Sequence, residues 1–560
     1  MDWIRYLLIA AIVGVALMLV SEWTAFNKAH IASRVPAGQS IVAPAQAPAG
    51  GVADDLPTPA AANLDSDVPS IAQETASSGS KGSSLVHVVT DVLDLQIDLL
   101  GGDFVNVSLP KQLAELDGDQ PFVLMERNSR RTYIAQSGLI GTHGTDTRDG
   151  RPLFDTKRTE YRLAPGQEQL LVDLTYTQAS GVLITKRFTF TRGDNLVNVS
   201  YLIDNRSNSP WSATFYGQLK RDNSSDPSAD TTGMGLRPFL GVATTTADKP
   251  FLKIAFKKLA NEPLNNKVEG GWISMVQHYF ISAWIPSSTQ LNHYTTKVTP
   301  SGFNLIRFTA PAVNLQPGQQ GTVSAGFYAG PKDQYRLKKI APGLDLTVDY
   351  GWLWWIAQPL FWILTQIHKL VGNWGWSIIF LTILVKGAFF QLSAASYRSM
   401  AKMRQVAPKM AQIRELYADD RQKQSQEMMA LYQKEKVNPL GGCLPILIQM
   451  PVFISLYWVL MESVELRQAP WLGWIKDLST MDPYFILPAI MGVSMFAQQK
   501  LNPPPPDPMQ AKIMQFLPVV FTFFFLWFPA GLVLYWVVNN LLSILQQWVI
   551  TRRIEAADAS

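Results

Sequence analysis

Apolar and polar residues alternate with a period of two over a long central stretch of the chain. In residues 93–99 and 197–203 every second position is apolar and the positions between are mostly polar, which is typical of half-buried β-strands. Turn sequences such as Gly101-Gly102, Pro165-Gly166 and Gly193-Asp194 separate such runs. Many strands of this kind predict a β-sandwich over residues 85–340 that folds as one soluble domain.

After Pro342 the alternation gives way to long apolar runs. The first of them, Tyr350 to Val371, is rich in tryptophan but also carries polar residues, so we predict an amphipathic helix in the membrane interface over residues 341–372. The later runs fit five membrane spans, one within 373–392 and four within 440–550. Their approximate positions are 374–392, 440–461, 484–498, 513–528 and 531–549.

The N-terminal residues 1–23 hold one more apolar run, and no small-residue cleavage pattern directly follows it. We predict an uncleaved transmembrane signal anchor, with a removed signal peptide as the alternative. Residues 24–84 are rich in Ala, Pro, Ser and Gly and form a flexible linker. The predicted fold class is a polytopic α-helical membrane protein, a signal anchor plus a five-helix core, with a large exported β-sandwich.

Charge in the loops sets the predicted orientation. The segment 393–439 holds nine Lys and Arg residues, whereas the loop at 463–483 holds only Arg467 and Lys476. The positive-inside rule therefore places 393–439 in the cytoplasm and 463–483 in the periplasm. The loop at 499–511, the short tail at 551–560 and both termini are then cytoplasmic, and the β-sandwich is periplasmic.

Composition excludes several classes of protein. Of the 560 residues, 47% are hydrophobic and 16% charged, with a net charge of +4, which favours a membrane protein and gives no sign of nucleic-acid recognition. The single cysteine and the six scattered histidines offer no disulfide framework or metal-ligand spacing. Since the nucleotide-binding loop GxxxxGK[ST] is also missing, we predict no cofactor and no metal.

Lys386 is the one charged residue inside the apolar run Trp374 to Leu392. An ammonium in hydrocarbon is costly unless it reaches water or a polar partner, and Lys386 lies roughly 9 Å from the cytoplasmic end of its predicted helix. Other predicted spans carry polar groups at a similar depth. The candidate groove residues are Lys386, Thr382, Gln449, Tyr535, Trp536, Asn539, Asn540 and Ser543.

If these faces converge, they form a hydrated recess that is open to the cytoplasm and closed on the outer side. The alternative is that Lys386 extends its side chain to the lipid headgroups while the amides form hydrogen bonds between helices. Three helices with polar groups at one level favour the recess, because each group would otherwise need its own buried partner.

The cytoplasmic segment 393–439 predicts a helical hairpin with its turn at residues 418–420. Methionine side chains adapt to varied apolar partners, so we predict contact between this hairpin and incoming substrates. The alternative is that the methionines only hold the two arms together. The candidate contacts are Met400, Met403, Met410, Met428 and Met429.

Several motifs resemble the YidC family of bacterial membrane protein insertases, which is related to the mitochondrial and chloroplast insertases. They are NWGWSIIFLTILVKG, YRSMAKMRQVAPKM, QEMMALYQKEKVNPLGGCLPILIQMPVFISLY, ESVELRQAPW, DPYFILP and FLWFPAGLVLYWVVNN, and GGWISMVQHYFISAWIP resembles the periplasmic part of the Gram-negative form. The resemblance extends from the signal anchor to about Arg553.

The resemblance implies an inner-membrane insertase and chaperone, not an enzyme, with a periplasmic β-supersandwich and a hydrophilic groove for nascent membrane proteins. The partners it implies are the lipid bilayer, the Sec translocon (SecYEG and SecDF) and the ribosome through the cytoplasmic loops. The family commonly has arginine where this chain has Lys386. Lysine keeps the charge but lacks the planar fork for bidentate binding.

Two other classes of protein would explain parts of this sequence. A secondary transporter would also explain polar residues inside the membrane, but it predicts repeated halves and coupled acidic residues within the spans, and neither is evident. A periplasmic carbohydrate-binding module with the helices as its anchor is the other alternative, because sandwich folds host many functions.

Overall fold

The computed structural model describes residues 85–147, 150–229, 238–435, 444–501 and 508–558. These residues belong to one structural unit, Gly51–Ser560. The predicted signal anchor at 1–23 and the linker at 24–84 lie outside the described residues.

The described residues between 85 and 331 form mainly β-strands. In chain order they are β1 (Leu85–Val89), β2 (Asp94–Asp98), β3 (Asp103–Leu113), β4 (Pro121–Arg127), β5 (Thr132–Ile140), β6 (Asp155–Thr156), β7 (Glu160–Arg162), β8 (Gln169–Thr177), β9 (Leu183–Thr191), β10 (Leu196–Asp204), β11 (Trp211–Arg221), β12 (Gly241–Thr244), β13 (Leu252–Ala255), β14 (Asn265–Glu269), β15 (Ile273–Val276), β16 (Phe280–Pro286), β17 (Leu291–Val298), β18 (Asn304–Leu315) and β19 (Gln320–Pro331).

The strands form two sheets, in which the described pairs are antiparallel apart from β1 with β7. One sheet has ten strands in the order β14-β17-β18-β11-β5-β4-β3-β2-β1-β7, and the other has nine in the order β13-β12-β15-β16-β19-β10-β9-β8-β6. Aromatic rings join the two sheets: Phe104 of β3 stacks on Phe327 of β19 with ring centroids 4.7 Å apart. The predicted β-sandwich is confirmed.

The period-two pattern places side chains as the sequence predicts. In β10, Val197, Val199, Tyr201 and Ile203 are all buried, because successive side chains of a strand point to opposite faces. Asp98 of β2 departs from the pattern. It is buried with only 2% exposure, since its carboxylate pairs with Arg127 at 2.6 Å and accepts a hydrogen bond from the Leu100 amide.

After the last strand the chain is helical. Its helices, together with one short helix between β13 and β14, are α1 (Phe256–Leu259), α2 (Gln334–Ile340), α3 (Trp354–Val371), α4 (Trp374–Ala388), α5 (Phe390–Leu416), α6 (Arg421–Lys434), α7 (Leu444–Glu462), α8 (Ile486–Leu501), α9 (Pro508–Phe525) and α10 (Ala530–Asp558). Helix α3 buries Leu360, Phe361 and Leu364 and exposes Trp354, Trp355 and Trp362, so it is amphipathic.

The predicted span over 373–392 is not a single helix. Helix α4 ends at Ala388, and the axis turns by 66° before the first part of α5. Gly387 lies at this break, where it weakens the helix, and the Phe389 amide closes α4 by donating to the Val385 and Gly387 carbonyls. Helix α5 therefore joins the cytoplasmic hairpin predicted from residue 393 directly to α4. It is continuous through Pro408.

The predicted hairpin turn agrees with the structure, because α5 ends at Leu416 and α6 begins at Arg421. The Asp420 carboxylate caps α6 by accepting from the Gln422 and Lys423 amides. At the other end of the chain, α10 continues to Asp558, so residues predicted as a short tail extend the last helix.

Length and apolar composition test the number of spans only in part. Among the described residues, one helical segment, Ala530–Arg552, is long and apolar enough to cross a bilayer, or two if the bent pair Trp374–Ala388 and Phe390–Met403 counts as one span. The prediction of five spans therefore stays a prediction.

The β-sandwich is joined to the helices at the C-terminal end of α7. The Lys332 ammonium pairs with Glu462 at 2.9 Å, and both side chains are buried. Nearby, the His278 Nε2 lies 2.8 Å from the Met461 carbonyl oxygen, and the Arg467 guanidinium donates to the Leu113 carbonyl at 2.6 Å. These contacts hold one end of the helix bundle against the sandwich.

Candidate functional site

A cavity of about 240 Å³ lies among the helices, at the end of the bundle away from the β-sandwich. Six helices contribute to it. The described lining residues are Lys386 of α4; Ser393, Ser396, Tyr397 and Met400 of α5; Gln449, Met450 and Phe453 of α7; Met495, Gln498 and Gln499 of α8; Met514, Leu517 and Pro518 of α9; and Tyr535, Trp536, Asn539, Asn540 and Ser543 of α10.

Lys386 is the one charged residue among the described lining residues. Its side chain is 8% exposed. The ammonium donates to the Ser543 hydroxyl at 2.7 Å and to the Gln449 side-chain oxygen at 3.5 Å. Among the described residues no carboxylate lies within ion-pair distance of Lys386. The cavity therefore contains a buried positive charge that is held by neutral oxygen atoms.

Ser543 is oriented to accept from this ammonium. Its hydroxyl donates to the Asn539 carbonyl of the preceding turn at 2.7 Å, and this leaves the lone pairs of the oxygen for Lys386. On the same helix, the Asn540 amide donates to the Ser494 hydroxyl of α8 at 3.1 Å. One face of α10 thus contacts both α4 and α8 through polar groups.

The N-terminal half of α4 fixes the position of Lys386. The Asn373 side chain caps the helix by accepting from the Trp376 amide at 3.1 Å. A Cβ atom on Gly375 would lie 2.2 Å from the Trp471 ring, so only glycine permits this close approach. Ile378 and Leu381 are fully buried below Lys386. Residues three and four apart share a helix face. Packing of the face that includes Ile378 and Leu381 therefore places Lys386 in the cavity.

Seven of the eight predicted groove residues line this one cavity, and Thr382 does not. The Thr382 hydroxyl donates to the Ile378 carbonyl of its own helix at 2.7 Å. Its side chain is buried, and it lies one turn before Lys386 in α4, further from the break between α4 and α5. Thr382 satisfies its hydroxyl within the helix backbone and stays at the edge of the site.

The five hairpin methionines lie in three different environments. Met400 lines the cavity. Met410 is buried in a small cluster between α5 and α6, and Met403 and Met428 pack against it, an arrangement that favours the packing alternative for these residues. Met429 is 45% exposed. Contact with substrates stays a prediction for all five.

Several lining residues were not among those predicted. Ser393, Ser396 and Tyr397 belong to α5, which was assigned to a hairpin outside the membrane. Gln498 and Gln499 form an amide pair at the end of an otherwise apolar run, and this signal could have identified them. The methionines of three separate helices carry no sequence signal that links them.

Apolar packing closes the bundle between the cavity and the β-sandwich. A single buried cluster fills this part of the bundle, and it includes Leu381, Leu456, Leu460, Met491 and Val533. The polar cavity lies next to α5, which forms the first arm of the hairpin. An apolar layer therefore separates the polar cavity from the junction with the sandwich.

The sequence matches two family models. Residues 85–363 match the family described as the YidC periplasmic domain, and residues 366–557 match the family described as the 60Kd inner membrane protein. Together these matches cover both the sandwich and the helices.

Two curated relatives align along the whole chain, and both are named membrane protein insertase YidC. The protein of Cellvibrio japonicus is 56% identical over 564 residues, which cover 100% of both chains. The protein of Stutzerimonas stutzeri is 55% identical over 562 residues and 99% of both chains. A crystal structure of an active YidC insertase covers 83% of this chain and 92% of its own, at 18% identity and a TM-score of 0.38.

Proposed function

This chain belongs to the YidC family of membrane protein insertases, and from that premise we propose that the cavity around Lys386 receives the polar segment of a nascent membrane protein. The family is one of inner-membrane proteins with a periplasmic domain. The chain is accordingly an insertase and not an enzyme that makes or breaks covalent bonds.

One observation carries the proposal for the site. The Lys386 ammonium is buried among neutral partners, with Ser543 at 2.7 Å and no described carboxylate nearby. A buried cation without a counter-charge attracts an anion more strongly than an exposed one does, because the local dielectric is low. An acidic side chain in the flank of a substrate supplies that anion.

The cavity takes polar groups and the lipid takes the apolar segment. In the proposed sequence of events, a hydrophilic flank enters the cavity while the adjoining apolar stretch moves sideways into the bilayer. Partitioning of the most favourable apolar residues yields about 0.3 to 0.6 kcal/mol each at the centre of a helix. A segment of roughly 20 residues therefore inserts without nucleotide hydrolysis.

The proposed orientation puts the hairpin in the cytoplasm and the β-sandwich in the periplasm, with both termini inside. Nine Lys and Arg residues between 393 and 439 support it. The apolar cluster between the cavity and the sandwich supports a site that is closed on the periplasmic side. Polypeptides would then enter from the side where they are synthesised.

The proposed partners are nascent membrane proteins, the Sec translocon and the ribosome. The family supports the first of these. For the ribosome, the basic hairpin formed by α5 and α6 offers a cytoplasmic contact surface. Action together with the translocon is proposed from membership of the family.

The test uses purified protein in liposomes and a small newly synthesised client with an acidic translocated tail, without ATP. We expect a protease-protected product with the intact protein. Lys386→Ala and Lys386→Gln should lose most of this product, and Lys386→Arg should restore it, because only arginine keeps the positive charge.

The matched control is Lys500→Gln, which removes an exposed lysine of α8 that does not line the cavity. A client with a neutral tail should respond much less to Lys386→Gln than the acidic client does. Equal insertion of the acidic client by the Gln and Arg variants would contradict the charge role of Lys386.

A further inference from the structure

Four methionines from four different helices line the cavity: Met400 of α5, Met450 of α7, Met495 of α8 and Met514 of α9. They lie far apart in the sequence, and only the fold brings them to one cavity. They share the lining with Lys386, with polar residues of α5, α7, α8 and α10, and with aromatic and aliphatic side chains.

These methionines are less buried than the methionines of the core. Met450 is 42% exposed, and the other three are half-buried, although Met495 packs against the apolar cluster and Met400 against a small cluster of α5 and α10. By contrast, Met491 is fully buried in the apolar cluster and Met410 is 5% exposed inside the hairpin. The cavity methionines are therefore less confined than these two.

Methionine suits a surface that must accept different shapes. Its side chain is unbranched, has three rotatable bonds and ends in a polarisable thioether. Leucine has a similar volume but a branched, stiffer side chain, and a Leu/Met exchange in a packed site usually costs little stability. Exchange at these positions thus changes adaptability more than it changes stability.

We infer that Met400, Met450, Met495 and Met514 form an adaptable apolar wall that determines how wide a range of client segments the insertase accepts. The inference rests on the proposed function of the cavity. Lys386 attracts the polar flank of the client, and the methionine wall contacts the adjoining apolar residues before they move sideways into the bilayer, including those with aromatic or β-branched side chains that a fixed surface would reject.

The experiment compares the wild type with a variant in which all four residues are changed to leucine. Three clients share one acidic tail and differ only in the apolar segment, which is Leu-rich, Val-rich or Phe-rich at equal length and hydropathy. We expect the variant to insert the Leu-rich client about as well as the wild type does. Insertion of the Val-rich and Phe-rich clients should fall at least fivefold relative to the Leu-rich client.

The control variant carries Met461→Leu, Met481→Leu and Met491→Leu, three positions that do not line the cavity. It should keep the wild-type ratio among the three clients. If the four-leucine variant also keeps that ratio, or loses all three clients equally, the methionine wall does not determine client range and the inference is overturned.

Two measurements keep this result separate from the test of Lys386. A thermal unfolding curve shows whether the four-leucine variant is folded, and Met450→Leu alone, at the most exposed of the four positions, replaces it if it is not. That single variant should shift the client ratio in the same direction. The Lys386 variants, in contrast, should respond to the charge of the tail and not to the shape of the apolar segment.

Discussion

A buried lysine marks each end of the helix bundle, and the two lysines are held in different ways. At the β-sandwich, Lys332 is 2% exposed and donates to the Glu462 carboxylate at 2.9 Å. At the opposite end, Lys386 is 8% exposed and donates to the neutral oxygens of Ser543 and Gln449. Both lysines contact α7, one at its last residue and one near its start.

The difference separates a charge that holds two elements together from a charge that has no described carboxylate beside it. A buried ion pair compensates its own charge, so it fixes two elements against each other and offers little to a ligand. A buried cation among neutral partners keeps its field, and such residues within membranes mark substrate pathways. The comparison therefore assigns Lys332 to the junction with the sandwich and supports the proposed contact between Lys386 and the substrate.

Loss of the Lys332 charge should have the largest effect on stability. Lys332→Met leaves the Glu462 carboxylate buried without its cation, and breaking a buried pair in this way costs about 3 to 5 kcal/mol. The free energy of unfolding of the purified protein in detergent, measured by chemical denaturation, reports the loss.

The matched control is the double variant Lys332→Met with Glu462→Met, which removes both charges. It should recover most of the lost free energy, because two apolar side chains replace a buried pair at little cost. If Lys332→Met unfolds like the wild type, the pair does not stabilise the junction and the contrast with Lys386 fails.

Ser543→Ala should have an intermediate effect. The Lys386 ammonium loses its closest acceptor, and a hydrogen bond to a charged group contributes about 1.5 to 3 kcal/mol. We expect lower stability and weaker insertion of an acidic client. The loss of insertion should be smaller than with Lys386→Ala, since the charge remains in the cavity.

Ser455→Ala serves as the control for this prediction. Ser455 is fully buried, and its hydroxyl donates to the Pro451 carbonyl within α7 at 2.7 Å, away from the cavity. It should leave the preference for acidic over neutral clients unchanged. Equal client preference for Ser543→Ala and the wild type would show that Ser543 does not position the ammonium.

A third buried lysine, Lys186 of β9, is expected to make the free energy of unfolding depend on pH. It lies inside the sandwich, where it donates to the carbonyls of Gly101 and Ser137. Burial lowers the pKa of Lys186 from its usual value of 10.5 to about 7, although the carboxylates of Asp103 and Asp146 partly oppose this. The unfolded chain keeps the usual pKa.

Between pH 7 and 10 the unfolded state therefore binds more protons at this site than the folded state does. The free energy of unfolding should rise with pH in this window, by at most about 1.4 kcal/mol per pH unit from this one group. Below pH 7 both states are protonated and the contribution levels off.

Lys186→Met should remove this part of the slope, whereas Lys338→Met, at an exposed position of α2, should keep it. Unfolding curves at pH 7, 8 and 9 for the three proteins test the prediction. An identical slope in the wild type and Lys186→Met would mean that Lys186 does not lose its proton in the folded state.

The sequence predicted the β-sandwich well because the alternation of apolar and polar residues is visible within each strand. Alternation in β10 fixes which side chains are buried, and glycines such as Gly193, with φ of +72°, mark turns that other residues adopt only with strain. The helical part was harder to delimit. In the apolar run 374–392, Gly387 is the one residue that weakens a helix near the break at Phe389, and a single glycine in a continuous apolar run does not by itself predict a break.

The sequence predicts those residues of the candidate site that stand out within a single helix. Lys386 is conspicuous in its apolar run, and Asn539, Asn540 and Ser543 share one region of α10. Thr382 was included because it lies one turn from Lys386, but its hydroxyl is satisfied within α4. The serines of α5 and the methionines of α7, α8 and α9 were not identified, because they reach the cavity only through packing between helices.

By itself, the sequence determined the alternating strands of the sandwich, the family of the chain and the unusual lysine of α4, because periodicity, motifs and a charge in an apolar run are local properties. Only the tertiary structure decided that Lys332 has a carboxylate partner, that Lys386 has none among the described residues, and that four distant methionines line one cavity. These facts depend on which side chains come within a few ångströms of each other, and residues as far apart as 332 and 462 do so only after the chain has folded.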